Sequence, residues 1–168
     1  GCEVFSTPVT IEVSEDPVVA VSVDDQSICD GGVVTMNADV TGGAGDNNFQ
    51  WYVDGGAGFQ LIGGANGQQY TTVALSTGDY TYRVEVTQDA GCFAQSADVL
   101  VNVVDDPQAL ITSDLTDICD GGVVSFESNV TGGAGTTMYQ WELNDGSGWV
   151  TVGGATGDSY TTPQLPTG

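Results

Sequence analysis

The sequence predicts an all-β chain made of tandem antiparallel β-sandwiches that follow one another head to tail. Three observations predict this fold. The chain repeats itself, so that Cys29 and Cys119, 90 positions apart, stand in the same local sequence. Apolar and polar residues alternate with a period of two, which is typical of half-buried strands. Gly, Asn and Asp interrupt the chain at short intervals, and no stretch has the apolar spacing of a helix.

The repeat divides the chain into three parts. Residues 28–32 recur unchanged at 118–122, and residues 41–45 recur unchanged at 131–135. The opening residues align with the end of the second unit, from Gly91-Cys92 onward. We therefore interpret the chain as a window on a longer array. We expect the last strand of a preceding repeat at 1–16, a complete repeat at 17–106, and a repeat truncated before its last two strands at 107–168.

Each strand of the complete repeat is predicted from the alternation of apolar and polar residues in its own segment. Val34, Met36 and Ala38 lie on one side of a strand, with polar residues between them. Gly-rich stretches at 41–45 and 54–58 separate the strands, because glycine adopts turn conformations at little cost. In chain order, we expect strands near 18–23, 33–40, 49–53, 59–62, 69–74, 79–87 and 97–104.

The aromatic residues indicate where the core lies. Trp51 is central on the third of these strands, and Trp141 is its counterpart in the next repeat. Tyr80 begins the strand at 79–87, at the position of the tyrosine corner in immunoglobulin-like sandwiches, and Tyr82 follows on the same side. We expect all four side chains to pack in the interiors of immunoglobulin-like sandwiches.

Four motifs carry a resemblance to a known group of proteins. They are Ile-Cys-Asp-Gly-Gly at 28–32, Phe-Gln-Trp at 49–51, Gly-Asp-Tyr-Thr-Tyr at 78–82 and Gly-Cys at 91–92. In these motifs the chain resembles the bacterial immunoglobulin-like and PKD-like tandem repeats of giant Bacteroidetes surface adhesins, including the gliding adhesins. The resemblance implies export to the cell surface and a role as a spacer or adhesive stalk. It brings no catalytic residues with it.

The charge balance excludes several classes of partner. The chain has 23 acidic residues and one basic residue, Arg83, with a formal net charge of −22. A nucleic acid is therefore not expected as a partner, because nothing here neutralises phosphates. An anionic membrane surface is disfavoured for the same reason. No apolar run is long enough for a membrane-spanning helix, so we expect no membrane insertion.

The cysteines occupy two fixed positions in each repeat. Cys29 and Cys119 precede the second strand, whereas Cys2 and Cys92 precede the last one. In an exported protein this pattern indicates disulfides. Two pairings are open: Cys29 with Cys92 in one repeat, or each cysteine with a partner in a neighbouring repeat. The second pairing is considered because the two positions lie at opposite poles of an immunoglobulin-like sandwich.

Acidic residues gather around the junctions between repeats. If they converge there, they form an oxygen-rich site of the kind that Ca²⁺ prefers. The alternative is an ordinary solvated acidic surface. The residues of this possible calcium site are Glu15, Asp16, Asp24, Asp25, Asp30, Asp105 and Asp106.

Three functions remain to be compared, and none is enzymatic, because no histidine, lysine or recognisable catalytic constellation is present. The first is a structural repeat region of a secreted, extracellular cell-surface stalk or adhesin, with further repeats of the same chain as neighbours. The second is a subunit of an extracellular filament, in which copies associate laterally or by strand donation. The third is a carbohydrate-binding module for a surface or glycan target, with Tyr52 and Trp149 as candidate stacking groups.

Overall fold

The computed structural model describes residues 1–167; Gly168, the last residue of the predicted third repeat, lies outside this range. The described residues form strands, turns and bends, and none of them is in a helix. Accordingly, no helix in this part of the chain could cross a membrane. The predicted all-β sandwich fold is confirmed.

Nine strands form the complete repeat. They build two facing sheets, one in the order β1-β3-β6 and the other in the order β2-β9-β7-β4-β5, with β8 also paired to β7. All pairs are antiparallel except β2 with β9. The strands are β1 (Val18–Val23), β2 (Ser27–Cys29), β3 (Thr35–Thr41), β4 (Asn47–Asp54), β5 (Gln60–Leu61), β6 (Gln69–Thr71), β7 (Gly78–Gln88), β8 (Phe93–Gln95) and β9 (Val99–Val104).

The core of this repeat lies between its two sheets. Met36 from one sheet and Trp51 and Val84 from the other are completely buried, as alternation predicts. Tyr82 is 2% exposed, and Tyr80 is half-buried at the edge of the same cluster. The buried residues of this cluster all lie between Val19 and Val103, so the repeat has an interior of its own.

Two short strands were not predicted from the sequence. Strand β2 is only three residues long and lies parallel to β9, with Cys29 opposite Val104. Strand β8 pairs with the end of β7, where Thr87 lies opposite Phe93. Both are too short for alternation to be recognised, and both exist because a long neighbouring strand offers them free backbone groups.

A second, less complete set of strands follows. Its sheets are β10-β11-β14 and β12-β13, and Trp141 is 8% exposed within it. By the repeat, a strand like β4 is expected at 137–144, but only 142–144 form one, because none of the described residues gives 137–141 the partner that β7 gives to β4. The strands are β10 (Gln108–Ser113), β11 (Ser125–Thr131), β12 (Glu142–Asn144), β13 (Trp149–Thr151) and β14 (Ser159–Thr161).

Residues 1–16 form no strand and are exposed throughout. Their apolar residues Val9, Ile11 and Val13, which correspond to positions on β9, are 83 to 93% exposed. A β-strand requires a hydrogen-bonded partner, and none of the described residues provides one here. The assignment of 1–16 to a preceding repeat stays a prediction.

Candidate functional site at the junction between repeats

The junction between the two sets of strands is short. Strand β9 ends at Val104 and strand β10 begins at Gln108, so only residues 105–107 connect them. The last of these is Pro107, whose ring fixes one backbone angle. A connection of this length restricts the relative movement of the two repeats.

The end of the complete repeat contributes a chain of hydrogen bonds. The Asp30 amide donates to the Val104 carbonyl at 2.9 Å, which extends the pairing of β2 with β9. The Asp30 carboxylate accepts from the Thr77 amide at 2.9 Å. The Thr77 hydroxyl in turn donates to the Asp105 carboxylate at 3.0 Å. The connecting segment is thereby anchored to the sandwich that precedes it.

The following repeat meets this surface with its loop 131–135. The Gly133 amide donates to the Asp105 carbonyl at 3.1 Å, and the Ala134 amide donates to the Cys29 sulfur at 3.3 Å. Gly133 has φ +77°, and a Cβ there would lie 2.9 Å from the Pro107 Cβ. The position therefore requires glycine for both its conformation and its space.

The complete repeat has a loop equivalent to 131–135 at its opposite pole, at residues 41–45. There, the Ala44 amide donates to the Gln88 side-chain oxygen at 2.7 Å. The Gln88 amide donates to the Cys92 carbonyl at 2.9 Å, and the Phe93 amide donates to the Asp16 carboxylate at 3.2 Å. Cys92 therefore lies beside Asp16. Asp16 precedes the complete repeat in the same way as Asp106 precedes the following one.

Several of these junction residues were missed in the sequence. Thr77, Gly133, Ala134 and Gln88 were not predicted as site residues. The sequence did contain a signal for this contact, because residues 41–45 and 131–135 are identical. A loop that is unchanged between two repeats indicates a specific contact.

The acidic residues do not converge as expected. Asp24 accepts from the Thr35 amide at 2.9 Å, which extends the pairing of β1 with β3, whereas Asp25 accepts from the Ser27 amide at 3.0 Å and stabilises a turn. Asp30, Asp105 and Asp106 line one open cleft, whereas Glu15 and Asp16 lie at the other junction. Within residues 1–167, no three acidic or cysteine side chains are placed to hold a metal ion. Calcium binding stays a prediction without a defined site.

The cysteines Cys2, Cys29, Cys92 and Cys119 are all unpaired among the described residues. The pairing of Cys29 with Cys92 inside one repeat is wrong. Cys29 lies beside the end of β9, next to the start of β7, whereas Cys92 follows the end of β7. Strand β7 has 11 residues, so the two cysteines are about 33 Å apart, far beyond the roughly 7 Å limit between the Cα atoms of a disulfide.

The aromatic residues proposed to stack on sugars are differently placed in the two repeats. In the complete repeat, the Arg83 guanidinium lies 3.8 Å from the Phe59 ring centre and 5.7 Å from that of Tyr52. The Tyr52 hydroxyl donates to the Glu85 carboxylate at 2.9 Å, and this hydrogen bond raises the pKa of Tyr52. These two rings are therefore engaged within the protein, whereas Trp149 is 72% exposed.

Comparisons with known proteins agree with this architecture. The family described as "Ig-like domain CHU_C associated" matches residues 16–104, which is the complete repeat and more than half of the chain. No curated protein is significantly similar to the chain. An immunoglobulin-like domain is thus what the comparisons detect, and they detect no catalytic domain.

Solved structures similar to the chain include the following three. The four N-terminal Ig domains of Dscam1 isoform 6.9 are 15% identical, with a TM-score of 0.39 over 95% of this chain and 40% of that one. The ectodomain of mouse nectin-like molecule 4 is 21% identical, with a TM-score of 0.39 over 90% of this chain and 55% of that one. The fibronectin(III)-like modules of Clostridium thermocellum CbhA are 13% identical, with a TM-score of 0.43 over 86% and 79%.

These likenesses concern the fold alone, and the chain spans about half or less of the length of the first two. The family match is different, because it covers one whole sandwich, from the junction residue Asp16 to the end of β9. Because a single sandwich with these boundaries accounts for more than half of its residues, the chain belongs to the family of CHU_C-associated Ig-like domains.

Proposed function

We propose that this chain is part of the structural repeat region of a large secreted cell-surface stalk or adhesin of the bacterial gliding-adhesin type. Its sandwiches act as spacers that hold a binding region away from the cell. The observation that carries the proposal is the junction, where a three-residue connection is hydrogen-bonded to both of the repeats that it joins. A connection of this kind favours repeats that stand end to end.

Two further observations support a mechanical role. The complete repeat buries its core within its own boundaries, so it needs no partner domain to fold around. The net charge of −22 keeps the chain soluble and makes separate copies repel one another. The sequence resemblance to surface adhesins agrees with both features.

Small-angle X-ray scattering tests this proposal on proteins that contain two and four copies of residues 17–106 in tandem. We expect the maximum dimension to increase by about 35–45 Å for each added repeat, from strands of eight to ten residues plus loops. A matched protein has Asp105, Asp106 and the Pro17 that follows them at each junction replaced by Gly-Ser-Gly, and it should show a broader and shorter distance distribution. A maximum dimension that grows much more slowly in the original sequence would refute the spacer role.

A filament assembled by strand donation is the second candidate, and one observation favours it. Among residues 1–167, the edge at 137–141 has no partner strand, with Met138 91% exposed, and the apolar residues of 1–16 are likewise exposed. A segment of one copy could add to the open sheet of another. Analytical ultracentrifugation tests this: a concentration-dependent oligomer that is lost in Ile11→Asp would favour the filament, and a monomer at all concentrations would exclude it.

A further inference from the structure

The junction brings together the two kinds of cysteine that the sequence repeats. We infer that Cys29 forms a disulfide bond with the cysteine that occupies the Cys92 position in the following repeat. Such a bond would link successive sandwiches covalently at each junction. The inference goes beyond the proposed spacer role. Its geometry follows from which groups meet at the junction, and its oxidant rests on the extracellular location that the proposed function implies.

The first step of the argument is the position of Cys29. It ends β2 opposite Val104, two residues before Asp106, and its sulfur is half-buried. The sulfur accepts a hydrogen bond at 3.3 Å from Ala134, which belongs to the loop 131–135 of the following repeat. Cys29 therefore faces across the junction and not into its own sandwich.

The second step is what this loop touches in a complete repeat. In the identical loop 41–45, a Cβ at Gly45 would lie 3.3 Å from the Asp89 amide nitrogen and 3.4 Å from that of Ala90. The loop thus packs against the turn between β7 and β8, and Cys92 is the residue just before β8. The loop therefore contacts the cysteine at the Cys29 position of the preceding repeat. It also packs near the cysteine at the Cys92 position of its own repeat.

The third step is the junction residue itself. Phe93, next to Cys92, donates its amide to Asp16 at 3.2 Å, and Asp16 corresponds to Asp106 by the repeat. The Cys92 position of the following repeat is therefore placed beside Asp106. Since Cys29 lies beside Val104, both thiols meet the same connecting segment from its two sides.

The disulfide bond would form by thiol–disulfide exchange. The two cysteine thiols lose two protons and two electrons as their sulfur–sulfur bond forms. A small-molecule or protein disulfide, such as oxidised glutathione, takes up both and is released as two thiols. An extracellular location supplies oxidants of this class.

The repeat predicts that no two cysteines of the present chain are partners. The partner of Cys29 would belong to the repeat that follows, that of Cys92 to the repeat before it, and the same holds for Cys119 and Cys2. In the chain of residues 1–168, equilibrated in a glutathione buffer with excess reduced glutathione so that unpaired thiols do not persist as mixed disulfides, all four thiols should therefore react with iodoacetamide after mild unfolding. A disulfide between any two of them would overturn the inference.

The positive test is a tandem protein with residues 1–106 followed by a second copy of residues 17–106. The core of the complete repeat is self-contained, and the tandem protein retains the Asp-Asp-Pro sequence of the junction. Of its five cysteines, three should remain reactive, because Cys29 of the first copy pairs with Cys92 of the second. Pairing within each repeat would instead leave one reactive thiol, and no pairing would leave five.

Two matched variants locate the bond. Cys29→Ser in the first copy should abolish the disulfide and leave four reactive thiols. The identical substitution in the second copy should preserve it and leave two. If the two variants gave the same count, the inference would be wrong.

A further variant in the present chain tests the geometry without a second copy. Ala134→Cys puts a thiol on the loop that contacts Cys29, and oxidation should join the two, with the link lost when Cys29→Ser is added. Ser147→Cys, in an exposed turn of the same repeat, should stay reactive. A failure of Ala134→Cys to form the link would contradict the placement of Cys29 at the junction.

Discussion

The indole N–H of Trp51 donates to the carbonyl oxygen of Gly67 at 2.9 Å, and Trp141 repeats this bond to Gly157 at the same distance. Each tryptophan also lies 5.9 Å from a tyrosine ring, Tyr70 or Tyr160. The same local arrangement therefore forms in both repeats, although one repeat has more strands than the other. Trp51 anchors the sheet of β4 to the chain segment that leads into β6.

Truncation of Trp51 should be severe. Trp51 is completely buried, so Trp51→Ala should lower the free energy of unfolding of the complete repeat by about 3–5 kcal/mol, through lost burial and a cavity. Urea denaturation followed by circular dichroism measures this change. Trp149→Ala serves as the control and should change stability by no more than about 0.5 kcal/mol, because that side chain is 72% exposed. Equal losses in both variants would contradict the assigned core.

Alkaline pH should unfold the complete repeat through Tyr82. Burial raises the pKa of Tyr82 from 10.0 to about 12, because the ionised form is poorly solvated. The folded state thus favours the neutral phenol: this stability is fully present below pH 10 and is lost as the pH rises toward 12. Tyr82→Phe cannot ionise, so its unfolding midpoint by circular dichroism should move to higher pH. Tyr139→Phe, in the other repeat, should leave that midpoint unchanged.

Arg83 should stabilise its sheet through the aromatic rings beside it. Its guanidinium lies 3.8 Å from the Phe59 ring centre. A double-mutant cycle with Arg83→Met and Phe59→Leu should give a coupling energy of about 0.5–2 kcal/mol in urea denaturation. Arg83→Lys should lose part of this energy although it keeps the charge, because the planar stack is lost. Additive effects of the two substitutions would show that the contact contributes nothing.

Gly133 should control the geometry of the junction. Gly133→Ala would place a methyl group against the Pro107 ring and strain a positive φ, so it should broaden the distance distribution of the chain in X-ray scattering. Gly135→Ala is the matched control, because that residue also has a positive φ, of +79°, but has no atom within 4 Å of the added Cβ. The same broadening in both variants would indicate a general backbone effect and not a specific contact with Pro107.

Salt should stabilise the chain without specificity for calcium. With a net charge of −22, self-repulsion opposes folding, and ions screen it. The melting temperature should therefore rise between about 0.02 M and about 0.5 M NaCl, and CaCl₂ at equal ionic strength should give the same rise. A larger rise with Ca²⁺ than with NaCl, reversed by a chelator, would point to a bound ion that the positions of the carboxylates do not suggest.

Much of the fold was predictable because its causes are local. Alternation along β3, β4 and β7 places Met36, Trp51 and Val84 on the inner faces, and these residues are buried as expected. The spacing of 90 residues predicted that the second set of strands would copy the first, as the bonds of Trp51 and Trp141 demonstrate. Glycine turns at positive φ, such as Gly43, follow from composition in the same way.

The junction depended on contacts that sequence position does not reveal. Asp24 and Asp30 are both acidic residues near a repeat end, yet Asp24 extends the pairing of β1 with β3 and Asp30 holds Thr77. Strand register and loop geometry decide which amide each carboxylate meets. The short strand β2 likewise exists only because β9 offers it a free edge.

By itself, the sequence determined the repeat, the longer strands and the interior of each sandwich, since these arise from periodic patterns along the chain. Only the tertiary structure decided that Cys29 turns away from Cys92 and toward loop 131–135 of the next repeat. The physical reason is that strand β7 separates the two poles of one sandwich by its whole length, whereas the three-residue connection brings the poles of successive sandwiches together.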